Sequence, residues 1–430
     1  MTYFFILGNN PTLSIAEIIK VIHVQENDIK EITSEFLILE TRRPVNVDNL
    51  QKRLAGTIKI GQVMDKIEPE KNNLPDKIID ILSSGYQRVN FGFSFYNPEG
   101  RDNIIKGKTN PHVKNFDAGV KKISLEIKRR LKEKDISSRW IESSEEKLSS
   151  VVVKNNLLDQ GMEIVFLFSR DAIFLGRTLS CQLFEEYGHR DFNRPIRVIK
   201  KGMIPPKLAR IMINLGAKDD SLIRRTCFLD PFCGTGTILQ EALLMDFGNI
   251  IGTDKNKRIV IDAQTNLGWL AKTTQKELDL KKIKIFYCDA RRLSSKIKEE
   301  SIGLVVTEPY LGPIKFNFSD NQFIIRDLTQ LYFLTFRELR KIVKRDGRVV
   351  IIFPIFSNKK RFNPNGKTEE KDYFIRVLDQ LKKIGWETEN PIPDYLLKNK
   401  VINVTKRNSI IYSRPDQKVL REILIFRRNY

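Results

Sequence analysis

The stretch Leu229-Asp230-Pro231-Phe232-Cys233-Gly234-Thr235-Gly236-Thr237 constrains this chain more tightly than any other. Before it, Cys227–Asp230 is a short apolar run that ends on a carboxylate, and after it Ile238–Leu244 has helical character. Two glycines two residues apart let the backbone turn sharply and approach a ligand, because no Cβ intervenes. A strand, a tight turn and a helix in that order put the first helical amides over the loop, at the strand end where open α/β sheets bind ligands.

The surrounding segments repeat the theme. Pro206–Asn214 reads as a helix opened by proline, and Ile250–Thr253, Lys284–Tyr287, Leu304–Thr307 and Arg348–Phe353 read as strands with helices between them. That alternation predicts a parallel sheet covered on both faces. Asp254 ends one of these strands, with Lys255 after it, and Asp289 closes the next, followed by Ala290. A helix cap or an exposed turn accounts for Asp230, Asp254 or Asp289 singly, but less readily for three successive strand ends. Asp254 is suited to accept from two ribose hydroxyls, and Asp289 from an adenine amino group. Neither GxGxxG nor GxxxxGK[ST] is present, so nothing cradles a pyrophosphate, and NAD or a phosphate-bearing nucleotide fits poorly. Near the C-terminus, Ser409–Tyr412 and Glu422–Phe426 are expected to pair as a hairpin.

The first half has a different pattern. Tyr3–Leu7, Phe36–Glu40 and Thr57–Asp65 read as strands, Ser14–Ile22 as a helix from a Ser cap, and Asn46–Leu54 as a helix from an Asn cap. Together they predict a small α+β unit over residues 1–68. A second unit, 69–187, starts near Asn72-Asn73 and combines helices at Asp76–Leu82 and Asp117–Lys132 with five strands: Phe91–Tyr96, Arg139–Glu142, Ser149–Val153, Glu163–Phe168 and Ile173–Thr178. The polar, basic stretch Tyr187–Pro195 reads as a linker, giving a third domain over 188–430 with 188–200 as the connection.

Lys and Arg number 74 against 53 Asp and Glu, a net charge of +21. Such a surplus favours a polyanionic partner through counterion release, although a solvated basic surface would look the same. Lys106-Gly107-Lys108, Lys121-Lys122 and Lys128-Arg129-Arg130 could share one phosphate-facing surface, while each run alone reads as a solvated face. The longest apolar runs, such as Val349–Phe353 and Ile164–Phe168, are far too short to span a bilayer. Cys181, Cys227, Cys233 and Cys288 form no CxxC pair, and only His23, His112 and His189 accompany them. That scatter predicts no metal site and no disulfide framework, and a reducing cytoplasm.

Thr307-Glu308-Pro309-Tyr310 follows the strand Leu304–Thr307. It offers a side-chain oxygen, a backbone carbonyl beside a proline, and an aromatic face. An exocyclic amine conjugated to a purine is a poor nucleophile, and fixed oxygens that accept its N–H hydrogens localise its lone pair; orientation and electrostatics supply most of the acceleration. The stretch is similar to the Asp/Asn-Pro-Pro-Tyr/Phe motif of amino-methyltransferases. Either Thr307 takes the first position and a hydroxyl replaces the acid, or Glu308 takes it and one proline is missing; Glu308 is the preferred acceptor, with Pro309 and Tyr310 placing the base. C5-pyrimidine methylation needs an attacking cysteine, and none follows this strand.

The arrangement Asp230–Thr237, Asp254 and Asp289 closely resembles class I S-adenosylmethionine-dependent methyltransferases. The resemblance implies that Asp230, Pro231, Phe232, Cys233, Gly234, Thr235, Gly236 and Thr237 hold the methionine part, Asp254 with Lys255 the ribose, and Asp289 with Ala290 the adenine. Taken whole, the chain resembles the THUMP-domain tRNA guanosine N2-methyltransferases of the guanosine-10 group. The features are Tyr3–Gly8 with Leu13–Glu17, then Leu148–Asn155, Arg190-Asp191, Arg194-Pro195 and Pro205–Arg210, where Pro206 falls on the cofactor side. The fold implied is α/β: a Rossmann-like class I methyltransferase domain preceded by α+β ferredoxin-like and THUMP domains. Methyl transfer to the N2 amine of a guanosine in tRNA, by a monomer, is the activity implied, and some relatives need a small activating partner protein. A non-catalytic tRNA-binding protein and an N6-adenine methyltransferase on DNA or rRNA stay open as alternatives.

Overall fold

The computed structural model describes the chain except residues 68–73, 84–86, 97–110, 144, 170–171, 198–202, 219, 314–321, 358–371, 415–418 and 430. Lys106-Gly107-Lys108 and the expected boundary at Asn72-Asn73 lie outside the described residues. The chain divides into two compact units, Met1–Phe184 and Glu185–Tyr430.

The first unit is built on strands β1 (Thr2–Leu7), β2 (Ile29–Ile32), β3 (Phe36–Glu40), β4 (Thr57–Ile67), β5 (Arg88–Tyr96), β6 (Ser137–Trp140), β7 (Gly161–Phe168) and β8 (Ile173–Cys181). They form one sheet in the order β2-β3-β1-β4-β8-β7-β5-β6. Pairing is antiparallel except where β5 meets β6 and β7. The strands expected on either side of residue 69 thus share a sheet, joined where β4 pairs with β8.

Local chemistry explains the helices, and two expectations need correction. The first helix is Pro11–Ile22, because Asn10 caps it by accepting from the Leu13 amide at 3.1 Å and Pro11 suits its first turn. Ser14 lies inside that helix, buried, and donates to the Gly56 carbonyl at 2.7 Å. Ser149–Val153 is not a strand: Ser149 caps the helix Ser150–Asn156 by accepting from the Val152 amide at 3.3 Å. Val153 faces the core and Val151 is 47% exposed, so the cap and one-sided burial override the strand preference of three valines. Asn46 caps its helix as expected, accepting from Asn49 at 3.0 Å. In the long helix Pro111–Glu133, Arg129 and Arg130 are engaged by Glu133, Glu126 and Asp76, while Lys121, Lys122 and Lys128 stay exposed.

The second unit carries β9 (Cys227–Asp230), β10 (Asn249–Asp254), β11 (Ile283–Tyr287), β12 (Ile302–Thr307), β13 (Val343–Ser357), β14 (Asp372–Phe374), β15 (Trp386–Glu389), β16 (Ser409–Tyr412) and β17 (Val419–Arg428). The order is β11-β10-β9-β12-β13-β17-β15, with β14 on β13 and β16 on β17. From β11 to β13 all pairs are parallel. These are the strands expected to be parallel; beyond them β17 runs antiparallel to β13, and β15 and β16 antiparallel to β17. The expected hairpin is present, with Ser409 opposite Leu424 and Tyr412 opposite Arg421. The chain runs outward from β9 through β10 to β11, then returns to place β12 on the other side of β9. That reversal makes the carboxyl ends of β9 and β12 the topological switch point, where α/β sheets bind ligands.

The stretch expected as a linker is instead the helix Phe184–Phe192. Arg190 on this helix is buried because it is paired: it and Arg210 of the helix Pro206–Gly216 donate to opposite oxygens of Glu241 at 2.7 and 2.8 Å, and the buried Arg194 just beyond donates to Thr237. Among the described residues, no helix is long and apolar enough to cross a membrane.

Candidate active site

A cavity of about 630 Å³ opens over the carboxyl ends of β9, β10 and β12 and the turn after β11. The glycine loop forms one wall. Gly234 and Gly236 have φ of +49° and +88°, in the left-handed region that favours glycine, and Gly236 caps the helix Thr237–Leu244. A Cβ on Gly236 would stand 3.4 Å from Ala263. The loop is pinned from several sides: the Cys233 amide donates to the Thr253 carbonyl at 2.9 Å, Thr253 Oγ1 to the Pro231 carbonyl at 3.1 Å, and Asn266 Nδ2 to the Thr235 carbonyl at 2.9 Å. Asn266 also exchanges two 3.0 Å hydrogen bonds with the backbone of Ile196.

The three strand-end carboxylates reach this cavity in different electrostatic states. Asp230 is 1% exposed; it accepts from Thr307 Oγ1 at 2.6 Å and from the Phe232 amide at 3.2 Å. Burial outweighs those two donors and pushes its carboxyl up to about 7, helped by the negative charges of Asp254 and Glu308. Asp254 accepts from the Asn256 amide at 2.9 Å and the Gly234 amide at 3.3 Å, so it ties β10 to the glycine loop. Asp289 is gripped by its neighbour Arg291, whose Nη2 and Nε lie 2.6 and 3.0 Å from its two oxygens and hold its carboxyl below the usual range.

On the opposite wall, Glu308 is almost wholly buried and accepts from Arg421 Nε at 2.6 Å. Burial raises its carboxyl, and the guanidinium opposes that shift. Pro309 follows, and Tyr310 is 61% exposed at the cavity rim, its carbonyl held by the Tyr332 hydroxyl at 2.7 Å. Tyr332 is itself fixed by stacking on Phe353, with ring centroids 4.7 Å apart.

Of the residues singled out in the sequence, Asp230, Pro231, Phe232, Cys233, Gly234, Thr235, Thr237, Asp254, Lys255, Asp289, Ala290, Glu308, Pro309 and Tyr310 line this single cavity. Pro206, Gly236 and Thr307 are outside its lining. Pro206 is the first residue of its helix, Gly236 shapes the turn, and the Thr307 hydroxyl is committed to Asp230. Cys233 and Cys288 are buried with their thiols pushed up by burial, a poor setting for a nucleophile. Sequence reasoning missed Met203, Ile204, Arg291 and Arg421 in the lining, and Asn266 behind the loop. Arg291 carried a local signal, two residues after Asp289; Arg421 carried none, since it is 113 positions from its partner.

Residues 194–374 match the family model described as RMKL-like, methyltransferase domain. Among curated proteins, the tRNA (guanine(10)-N2)-dimethyltransferase of Methanothermobacter thermautotrophicus is 30% identical over 185 residues, 41% of this chain and 48% of that protein. The protein of the same name from Methanocaldococcus jannaschii is 29% identical over 163 residues, 37% of this chain and 43% of the relative. The matched stretches therefore span less than half the length of either relative. Among solved structures, TrmN from Thermus thermophilus aligns over 100% of both chains with a TM-score of 0.50 and 12% identity, a likeness of fold.

Proposed function

We propose that the chain is an S-adenosylmethionine-dependent methyltransferase acting on the exocyclic N2 amine of a guanosine in tRNA, with position 10 as the expected site. One observation carries the reading: the glycine loop after β9 and the Glu308-Pro309-Tyr310 turn after β12 share a single cavity. The matched domain and the names of the curated relatives support it.

The residues fit that cofactor. The left-handed glycine turn leaves backbone space where side chains would intrude, and Asp230, Asp254, Asp289 and Glu308 bring carboxyl oxygens into the cavity as acceptors for a ligand's hydroxyl and amino groups, beside Lys255, Arg291 and Arg421. In this reading Asp230 and the loop Pro231–Thr237 hold the methionine part, Asp254 beside Lys255 the ribose, and Asp289 with Ala290 the adenine. Bound there, the cofactor supplies an electrophilic methyl group on a sulfonium.

The chain's own residues act on the acceptor. Glu308 takes an N–H hydrogen bond from the guanine amine and so concentrates its lone pair, and the Pro309 region orients it. The exposed ring of Tyr310 offers a stacking face for the extruded base, worth about 1–3 kcal/mol against an extrusion cost of a few kcal/mol. Residues 1–68 and 69–187 serve as ferredoxin-like and THUMP modules that grip the tRNA, and the chain works as a cytoplasmic monomer, with a small activating partner as an added requirement to be tested. Incubating the full chain with bulk tRNA and labelled cofactor, followed by nucleoside analysis, should yield N2-methylated guanosine. Only N6-methyladenosine, product on DNA or rRNA alone, or binding of tRNA and cofactor with no turnover would each overturn the assignment.

A further inference from the structure

Building on that reading, we propose that Arg421 is a positioning residue for the reaction: its guanidinium fixes the Glu308 side chain so that the free carboxylate oxygen meets the substrate amine. Arg421 Nε binds Glu308 Oε1 at 2.6 Å, and both residues line the cavity. Among the described residues Glu308 Oε2 accepts no hydrogen bond, which leaves it as the oxygen available to a ligand. The side chains of Arg421 and Glu308 are 6% and 11% exposed, so solvent screens the pair little.

The pairing answers a problem set by the sequence. With Glu at this position, the carboxylate sits one methylene farther from the backbone than an Asp carboxylate would. An unrestrained Glu would sample several rotamers across the cavity. Arg421 reaches the site because β17 runs antiparallel beside β13, in register with Pro354, with Tyr412 of β16 on its other side. The guanidinium therefore arrives on a central strand held from both edges, a firmer anchor than a loop would provide.

The same contact keeps Glu308 in the acceptor form. Burial favours the neutral acid, and Arg421 is the group that opposes it; Asp230 and Tyr332 also face Glu308, and its charge disfavours their ionisation. Removing the guanidinium should therefore slow methyl transfer most at low pH.

The experiment measures single-turnover methyl transfer by the full chain to bulk tRNA from pH 5.5 to 9.5, with S-adenosylhomocysteine binding measured in parallel. For R421M we expect the acid limb of the rate profile to move up by about one unit or more, a loss of about tenfold near pH 6 that shrinks as pH rises. R421K should fall between R421M and wild type, with S-adenosylhomocysteine affinity unchanged within about twofold for both. In an E308Q background, adding R421M should cost nothing further, because the carboxylate it serves is gone. If R421M does not fold, the profile of R421K and the cycle with E308Q decide. A wild-type pH profile in R421M, a uniform loss at every pH that R421K does not rescue, or full additivity with E308Q would overturn the role of Arg421 while leaving the enzyme's activity standing. A wild-type protein that transfers no methyl group would instead overturn the parent reading, and the inference with it.

Discussion

Asp230→Asn should make the protein more stable at alkaline pH while impairing cofactor binding. Asp230 is 1% exposed and its carboxyl is held at about 7 in the folded chain, against an ordinary value of 3.8. Between those values the folded state keeps a proton that the unfolded chain has released, so stability falls as pH rises through the window and is flat above it. At about 1.4 kcal/mol per unit, the whole window is worth about 4 kcal/mol, of which about 3 kcal/mol lies between pH 5 and pH 8. Asparagine keeps an oxygen for the Thr307 hydroxyl and the Phe232 amide but carries no charge to desolvate. The stability of D230N minus that of wild type should therefore grow by about 3 kcal/mol from pH 5 to pH 8. Urea unfolding followed by tryptophan fluorescence measures it, since Trp386 is 1% exposed in the second unit, and taking the difference at each pH cancels the other carboxylates. A difference that stays constant within about 0.5 kcal/mol across that range would refute the desolvation account. Weaker binding of S-adenosylmethionine by the more stable variant would mark Asp230 as a residue kept for function at the expense of stability.

Three further outcomes are expected. Glu241→Gln leaves Arg190 and Arg210 buried opposite a neutral amide, and should destabilise the second unit by about 3–5 kcal/mol in a denaturation experiment. Asn266→Ala removes the clamp on the Thr235 and Ile196 backbone, at about 1–3 kcal/mol for each buried group left unpaired, and should weaken cofactor binding in calorimetry even where the fold survives. Tyr310→Ala should lower kcat/KM for tRNA by about 10- to 100-fold, the equivalent of a lost stacking face, with cofactor affinity unchanged; equal losses in both would argue that Tyr310 supports the cofactor instead.

What the sequence determined by itself was local. The run Cys227–Thr237, with a carboxylate closing the strand and two glycines in the turn, admits few conformations, so the strand, the sharp turn and the helix were all legible. The same holds for Asp254 and Asp289, each set by where an apolar run stops. Tertiary structure decided what came from far apart along the chain. Strand β12 inserts beside β9 and thereby brings Glu308 opposite the glycine loop, an adjacency that no periodicity encodes. Antiparallel β17 delivers Arg421, and Asn266 reaches across from its helix to hold the loop. Tyr187–Pro195 looked like a linker because it is polar, yet Arg190 within it is buried, since the compensating carboxylate of Glu241 sits 51 positions away. Charge on a single residue reads as solvent exposure until its partner is known, and partners are a property of the folded chain.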